Sequence, residues 1–126
     1  MPLPRPTDGE LEILRVLWQR GPSTVREVHD ELRQSRPLGY TTVLKLMQIM
    51  TEKGLVRRDE EQRAHVYAAR HARERTQRQL VRDLLERVFE GSAARLVMHA
   101  LAGKTSTPGE LRQIRRMLDE IEGGAR

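Results

Sequence analysis

Neither cysteine nor asparagine occurs anywhere in the 126 residues. The missing cysteine alone removes disulfide frameworks, thiolate zinc sites, iron–sulfur ligation and a cysteine nucleophile. Aromatic side chains are almost as scarce. Trp18, Tyr40, Tyr67 and Phe89 are the four, so little apolar area is available per residue for a large core. No stretch approaches the roughly 18 consecutive apolar residues of a membrane span, and residues 1–7, with three prolines, lack the apolar centre of a secretory leader. A cytoplasmic protein is expected.

Enzyme signatures are missing too. Gly103-Lys104-Thr105 resembles the end of a phosphate-binding loop, but the glycine required five residues earlier is Met98. The histidines, at 29, 65, 71 and 99, form no i, i+4 pair that would present two imidazoles to one metal. No nucleophile stands beside a candidate base, so neither catalysis, metal nor cofactor is expected.

Charge is what the chain has in abundance. Charged residues make up 33% of it, with 20 arginines against 3 lysines and a net +5. A polyanionic partner suits that balance. Position matters more than the total. Residues 36–58 hold five cations, Arg36, Lys45, Lys53, Arg57 and Arg58, against the single acid Glu52.

Periodicity supplies the elements. Thr7-Asp8-Gly9-Glu10 is a capping box that opens a first helix, whose Leu11, Leu14, Leu17 and Trp18 recur at helical spacing until Gly21-Pro22. With Ser23 or Thr24 as its cap, a second helix over residues 25–34 buries Val25, Val28 and Leu32. It turns Arg26, Glu27, Asp30 and Glu31 to water. A third helix begins near Tyr40 or Thr41 and closes at Gly54, with Val43, Leu46, Met47 and Met50 inward. Residues 55–58 and 64–68 then alternate around a five-residue polar tip, which reads as a β-hairpin. Three short helices and a hairpin give the order of a winged helix-turn-helix over residues 1–69.

Residues 70–126 predict three further amphipathic helices, so the fold class is mainly α: a winged-helix domain followed by a helical dimerisation region. Arg70, Arg73, Arg75 and Arg78 lead into the first, as phosphate contacts or as a solvated linker. Apolar stripes follow at Leu84, Leu85 and Val88, at Leu96, Val97 and Leu101, and at Leu111, Ile114, Leu118 and Ile121. The last opens with a second capping box, Thr107-Pro108-Gly109-Glu110. Some 50 residues cannot enclose all three stripes, so these positions predict a homodimer interface.

In a helix-turn-helix the second helix of the motif enters the major groove, where residues near its N-terminus reach base edges. Here those are Tyr40, Thr41, Thr42, Lys45 and Gln48. Threonine suits a thymine methyl or a phosphate, lysine guanine O6/N7, and glutamine adenine N6/N7; a merely solvated helix face is the alternative. Arg36 and Arg57 flank this helix. Arg63 and His65 on the hairpin belong beside the phosphate backbone or minor groove, or simply on an exposed tip.

These stretches together resemble the BlaI/MecI/CopY family of penicillinase-type transcriptional repressors. The matching residues are Glu10-Leu11-Glu12-Ile13-Leu14 with Leu17-Trp18, Thr24-Val25-Arg26-Glu27-Val28, Tyr40-Thr41-Thr42-Val43-Leu44, Glu52-Lys53-Gly54-Leu55-Val56, Arg63-Ala64-His65-Val66-Tyr67, and Gly91-Ser92 with Leu96-Val97. The resemblance implies a homodimer on a double-stranded, inverted-repeat operator. It also implies relief of repression when a membrane-bound sensor metalloprotease cuts the C-terminal region. The family's Asn-Phe cleavage bond would fall at His99-Ala100, where neither residue is retained, and the cysteine motif of copper-responsive members is missing. Two rivals use the same fold differently: a protein–protein interaction module, and a nonspecific architectural DNA binder.

Overall fold

The computed structural model describes residues 4–124, in the order α1 (Asp8–Arg20), α2 (Val25–Leu32), α3 (Tyr40–Lys53), β1 (Val56–Asp59), β2 (Val66–Ala69), α4 (Arg73–Val88), α5 (Ala93–Ala102) and α6 (Pro108–Gly124). The chain divides into two compact units, the first ending at Arg82 and the second beginning at Asp83. The first therefore reaches beyond the boundary expected after Ala69 and takes in the start of α4. Two contacts account for this: Trp18 Nε1 donates to the His71 carbonyl at 2.9 Å, and the Arg73 guanidinium lies 6.0 Å from the Trp18 ring centroid.

Reciprocal capping boxes start α1 and α2. In each the threonine hydroxyl, Thr7 or Thr24, accepts from the N3 amide, and the N3 glutamate, Glu10 or Glu27, accepts from the threonine amide. Thr24 is thus the cap of α2, and Ser23 has a different task. It is fully buried and exchanges two backbone hydrogen bonds with Tyr67, at 2.9 and 2.8 Å, as an isolated antiparallel bridge. The helix expected over 25–34 stops at Leu32 because the Leu32 carbonyl accepts from Ser35 and Arg36, closing a turn ahead of Pro37.

α3 ends as expected. Gly54 sits at φ 82°, in the left-handed region, and the Leu55 amide reaches back to the Met50 carbonyl at 2.9 Å, tucking Leu55 into the core. β1 and β2 pair antiparallel in the register Val56↔Ala69, Arg57↔Ala68, Arg58↔Tyr67 and Asp59↔Val66. The tip is accordingly six residues, 60–65, rather than five. Asp59 belongs to the strand, and its Oδ1 accepts from the Glu61 amide at 2.9 Å to start the turn. Ala64 and His65, expected in the second strand, fall in the tip.

The core of the first unit is drawn from every one of its early elements: Ile13, Leu14 and Leu17 of α1, Val25, Val28 and Leu32 of α2, Val43, Met47 and Met50 of α3, and Leu55, Val56 and Tyr67 of the wing. Leu46, expected inside, is only partly covered and packs against this cluster's edge. In the second unit, Ser92 caps α5 and the Thr107–Glu110 box caps α6. Neither α5 nor α6 has a buried residue among those described.

Candidate nucleic-acid interface

Burial of Val43, Met47 and Met50 fixes which side of α3 faces outward. Thr41, Thr42, Lys45, Gln48 and Glu52 are all exposed, as the 3.6-residue period requires, and Tyr40 is 44% exposed at the N-terminus. Thr41, Thr42, Lys45 and Gln48 therefore share one outward surface, and Tyr40 stands at its N-terminal edge, beside Arg26 and His29 of α2. Arg36 is exposed in the α2–α3 connection and Arg57 on β1, while Arg63 and His65 project from the six-residue tip.

Two of the five cations counted between residues 36 and 58 are committed elsewhere. Lys53 Nζ lies 2.6 Å from Glu10 Oε1, and that carboxylate is 2% exposed. The pair joins the C-terminus of α3 to the N-terminus of α1, so Lys53 holds the helix and Glu10 serves both the capping box and the ion pair. Arg58 pairs with Glu60 at 2.5 Å. Its hydrogen bonds to Tyr67 and then to Glu60 hold the guanidinium above its ordinary pKa. Lys45, Arg36, Arg57 and Arg63 remain as the exposed cations of the predicted set.

A residue not singled out from sequence joins this surface. The Arg26 guanidinium carbon lies 5.9 Å from the Tyr40 ring centroid, and the His29 ring meets the same tyrosine edge-on at 5.9 Å. Position 26 reads only as a solvent-facing site on α2, since nothing local links it to Tyr40, fourteen residues away.

Of the predicted interface residues in the C-terminal region, Leu84, Val88, Val97, Leu111, Leu118 and Ile121 are exposed. Leu85, Leu96, Leu101 and Ile114 are half-buried. His99 and Ala100 lie within α5, the His99 ring 5.5 Å from that of Phe89. No group of three or more metal-ligating side chains is assembled among the described residues.

A helix-turn-helix with a two-stranded wing, its third helix seated by one face and mostly polar on the other, where Ile49 is the exposed apolar exception, defines a protein of the winged-helix class. Residues 6–120 match the family model described as penicillinase repressor. The chain belongs to this family of transcriptional repressors, which is not a family of enzymes. Among its relatives, the transcriptional regulator BlaI of Mycobacterium tuberculosis is 33% identical over 123 residues, covering 97% of this chain and 88% of that protein. The penicillinase repressor of Bacillus licheniformis is 22% identical over 118 residues, 94% of this chain and 92% of the other. Two solved structures superpose on part of the chain. The DNA-binding domain of the repressor BlaI gives a TM-score of 0.52 at 25% identity, covering 58% of this chain and 89% of that one. The monomeric form of Bacillus licheniformis BlaI, solved in complex with the blaP half-operator, gives 0.51 at the same identity and coverage.

Proposed function

We propose that this chain is a sequence-specific DNA-binding transcriptional repressor that works as a homodimer on an inverted-repeat operator and blocks transcription by occupying it. The observation that carries this is the α3 surface: Thr41, Thr42, Lys45 and Gln48 are exposed together on a helix whose opposite face is anchored by three fully buried residues. Their donors and acceptors match base edges in the major groove. The half-operator complex of the Bacillus licheniformis relative supports the same use of the domain. Acting on DNA, the protein works in the cytoplasm.

The homodimer rests on the second unit. Side chains such as Val88, Val97, Met117 and Ile121 are between 43% and 63% exposed, a density of exposed apolar groups that calls for a partner surface. A second copy with the two heads about one helical turn apart, roughly 34–36 Å, meets both half-sites on one DNA face. Relief by a membrane-bound sensor metalloprotease cutting at His99-Ala100 requires α5 to unwind first, because proteases take extended backbone and both residues are helical.

The test is fluorescence anisotropy on the protein's own upstream DNA against a duplex with scrambled half-sites, at two salt concentrations. A preference of about 10³-fold or more supports a specific repressor. Equal, strongly salt-dependent binding would make it an architectural protein, and no binding to either would favour a protein-interaction module.

A further inference from the structure

A groove of about 340 Å³ separates the start of α2 and α3 from the wing tip. Its rim carries four hydrogen-bond donors from three different elements: the Arg26 guanidinium, the Tyr40 hydroxyl, the Arg63 guanidinium and the His65 imidazole. Leu44 and Tyr67 lie beneath them, and no carboxylate lines the groove. Most nearby acids are already engaged. Glu27 is held 2.6 Å from Arg20, Glu60 pairs with Arg58, and Asp59 accepts from its own turn.

We propose that this groove is a clamp for one phosphate of the DNA backbone, with Arg26 on the helical side and Arg63 on the wing side donating to its two non-bridging oxygens. The proposal rests on the repressor reading above and adds a contact outside the α3 surface. A phosphodiester is a tetrahedral monoanion with two free oxygens, and guanidinium groups from two elements lining one groove can each donate to one of them. Tyr40 orients one side of the clamp. The Arg26 guanidinium carbon and the His29 ring, one turn apart on α2, each lie 5.9 Å from its ring, and the cation–π contact restricts the rotamers of Arg26 before DNA arrives. The groove thereby ties the strand's position to the first residue of α3, so a phosphate seated there sets the register in which Thr41, Thr42 and Lys45 meet the bases.

The experiment uses the full-length protein and operator duplexes carrying a methylphosphonate at one backbone position at a time. At one position per half-site the neutral substitution should weaken the wild-type complex roughly tenfold. The same substitution should cost less in Arg26→Ala or Arg63→Ala, each of which keeps one arginine on the phosphate, and almost nothing in the double variant. The salt slope should fall in each single variant and by about one per bound head in the double variant. Arg26→Lys, which keeps the charge and loses the fork, should fall between. Additive losses at every position, or an Arg26→Ala protein with wild-type affinity and slope, overturn the clamp while leaving the repressor reading in place. A wild-type protein that does not distinguish operator from scrambled DNA overturns the repressor reading, and the clamp with it.

Discussion

Lys53→Met should destabilise the first unit by about 2 kcal/mol, a large effect for a side chain at a helix end. Removing one member of a fully buried ion pair costs roughly 3–5 kcal/mol, because the other charge is left without compensation. Glu10 meets that condition at 2% exposure, but the Lys53 side chain is 32% exposed, and Glu10 keeps the Thr7 amide at 2.8 Å. Water reaching the vacated site and the surviving hydrogen bond lower the figure to about 2 kcal/mol. Methionine retains the packing of the lysine stem, so the loss reports the charge rather than a cavity. For a unit of this size the midpoint of thermal unfolding, followed by circular dichroism, should drop by roughly 8–16 °C. Glu10→Gln in the Lys53→Met background should recover part of the loss, since it removes the stranded charge and keeps an acceptor for Thr7. A Lys53→Met protein that melts at the wild-type temperature or above would refute the reasoning and class the pair with solvent-screened surface pairs.

Lys45→Ala should weaken operator binding by about 1–3 kcal/mol and relax the preference at one base pair, as read by anisotropy against single-base operator variants; a uniform loss across sequences would make it a phosphate contact. Thr24→Ala removes the hydroxyl that accepts from the Glu27 amide and should cost about 1 kcal/mol in a urea titration, with no change in the slope. Gly54→Ala meets no neighbouring atom within 4 Å, yet it must hold φ 82°, so a loss of about 1 kcal/mol from backbone strain alone is expected in the same titration. Burial first, then the charges of Arg75 and Arg70, hold the His71 imidazole below its ordinary value of 6.5. The unfolded chain therefore takes up that proton more readily than the folded one, so melting temperature should decline as pH falls below about 6.5, and His71→Gln should flatten the decline.

Local chemistry made most of this legible. The Thr7 and Thr107 boxes, the Gly54 stop and the buried stripe of α3 each follow from residues within one or two turns of one another, so the helices and the exposed set Thr41, Lys45 and Gln48 could be read directly. What escaped depends on long-range contacts. Ser23 looks like a cap because it follows Gly21-Pro22, and only the returning hairpin makes it a strand partner for Tyr67. Lys53 looks like one more cation near the DNA face because Glu10 is 43 residues away. Arg26 looks solvated until Tyr40 lies beside it. The tip reads as five residues in sequence because Asp59 looks like a turn residue and Ala64-His65 like the start of an alternating strand, whereas the pairing runs out to Asp59 on one side and only to Val66 on the other.

The bridge between Ser23 and Tyr67 has a mechanical consequence. A ribbon of two four-residue strands standing alone would flap about its attachment, and its tip would sweep a wide arc. Here the second strand is pinned at Tyr67 to the segment joining α1 and α2 by two backbone hydrogen bonds, and its root is tied where the Arg70 amide reaches the Leu55 carbonyl at 3.0 Å. With both ends of β2 fastened, compliance is confined to the span beyond Asp59 and before Val66. The wing is thereby built as a braced arm with an unbraced fingertip: its root is tied to the body of the domain, and residues 60–65 are the part left outside the pairing.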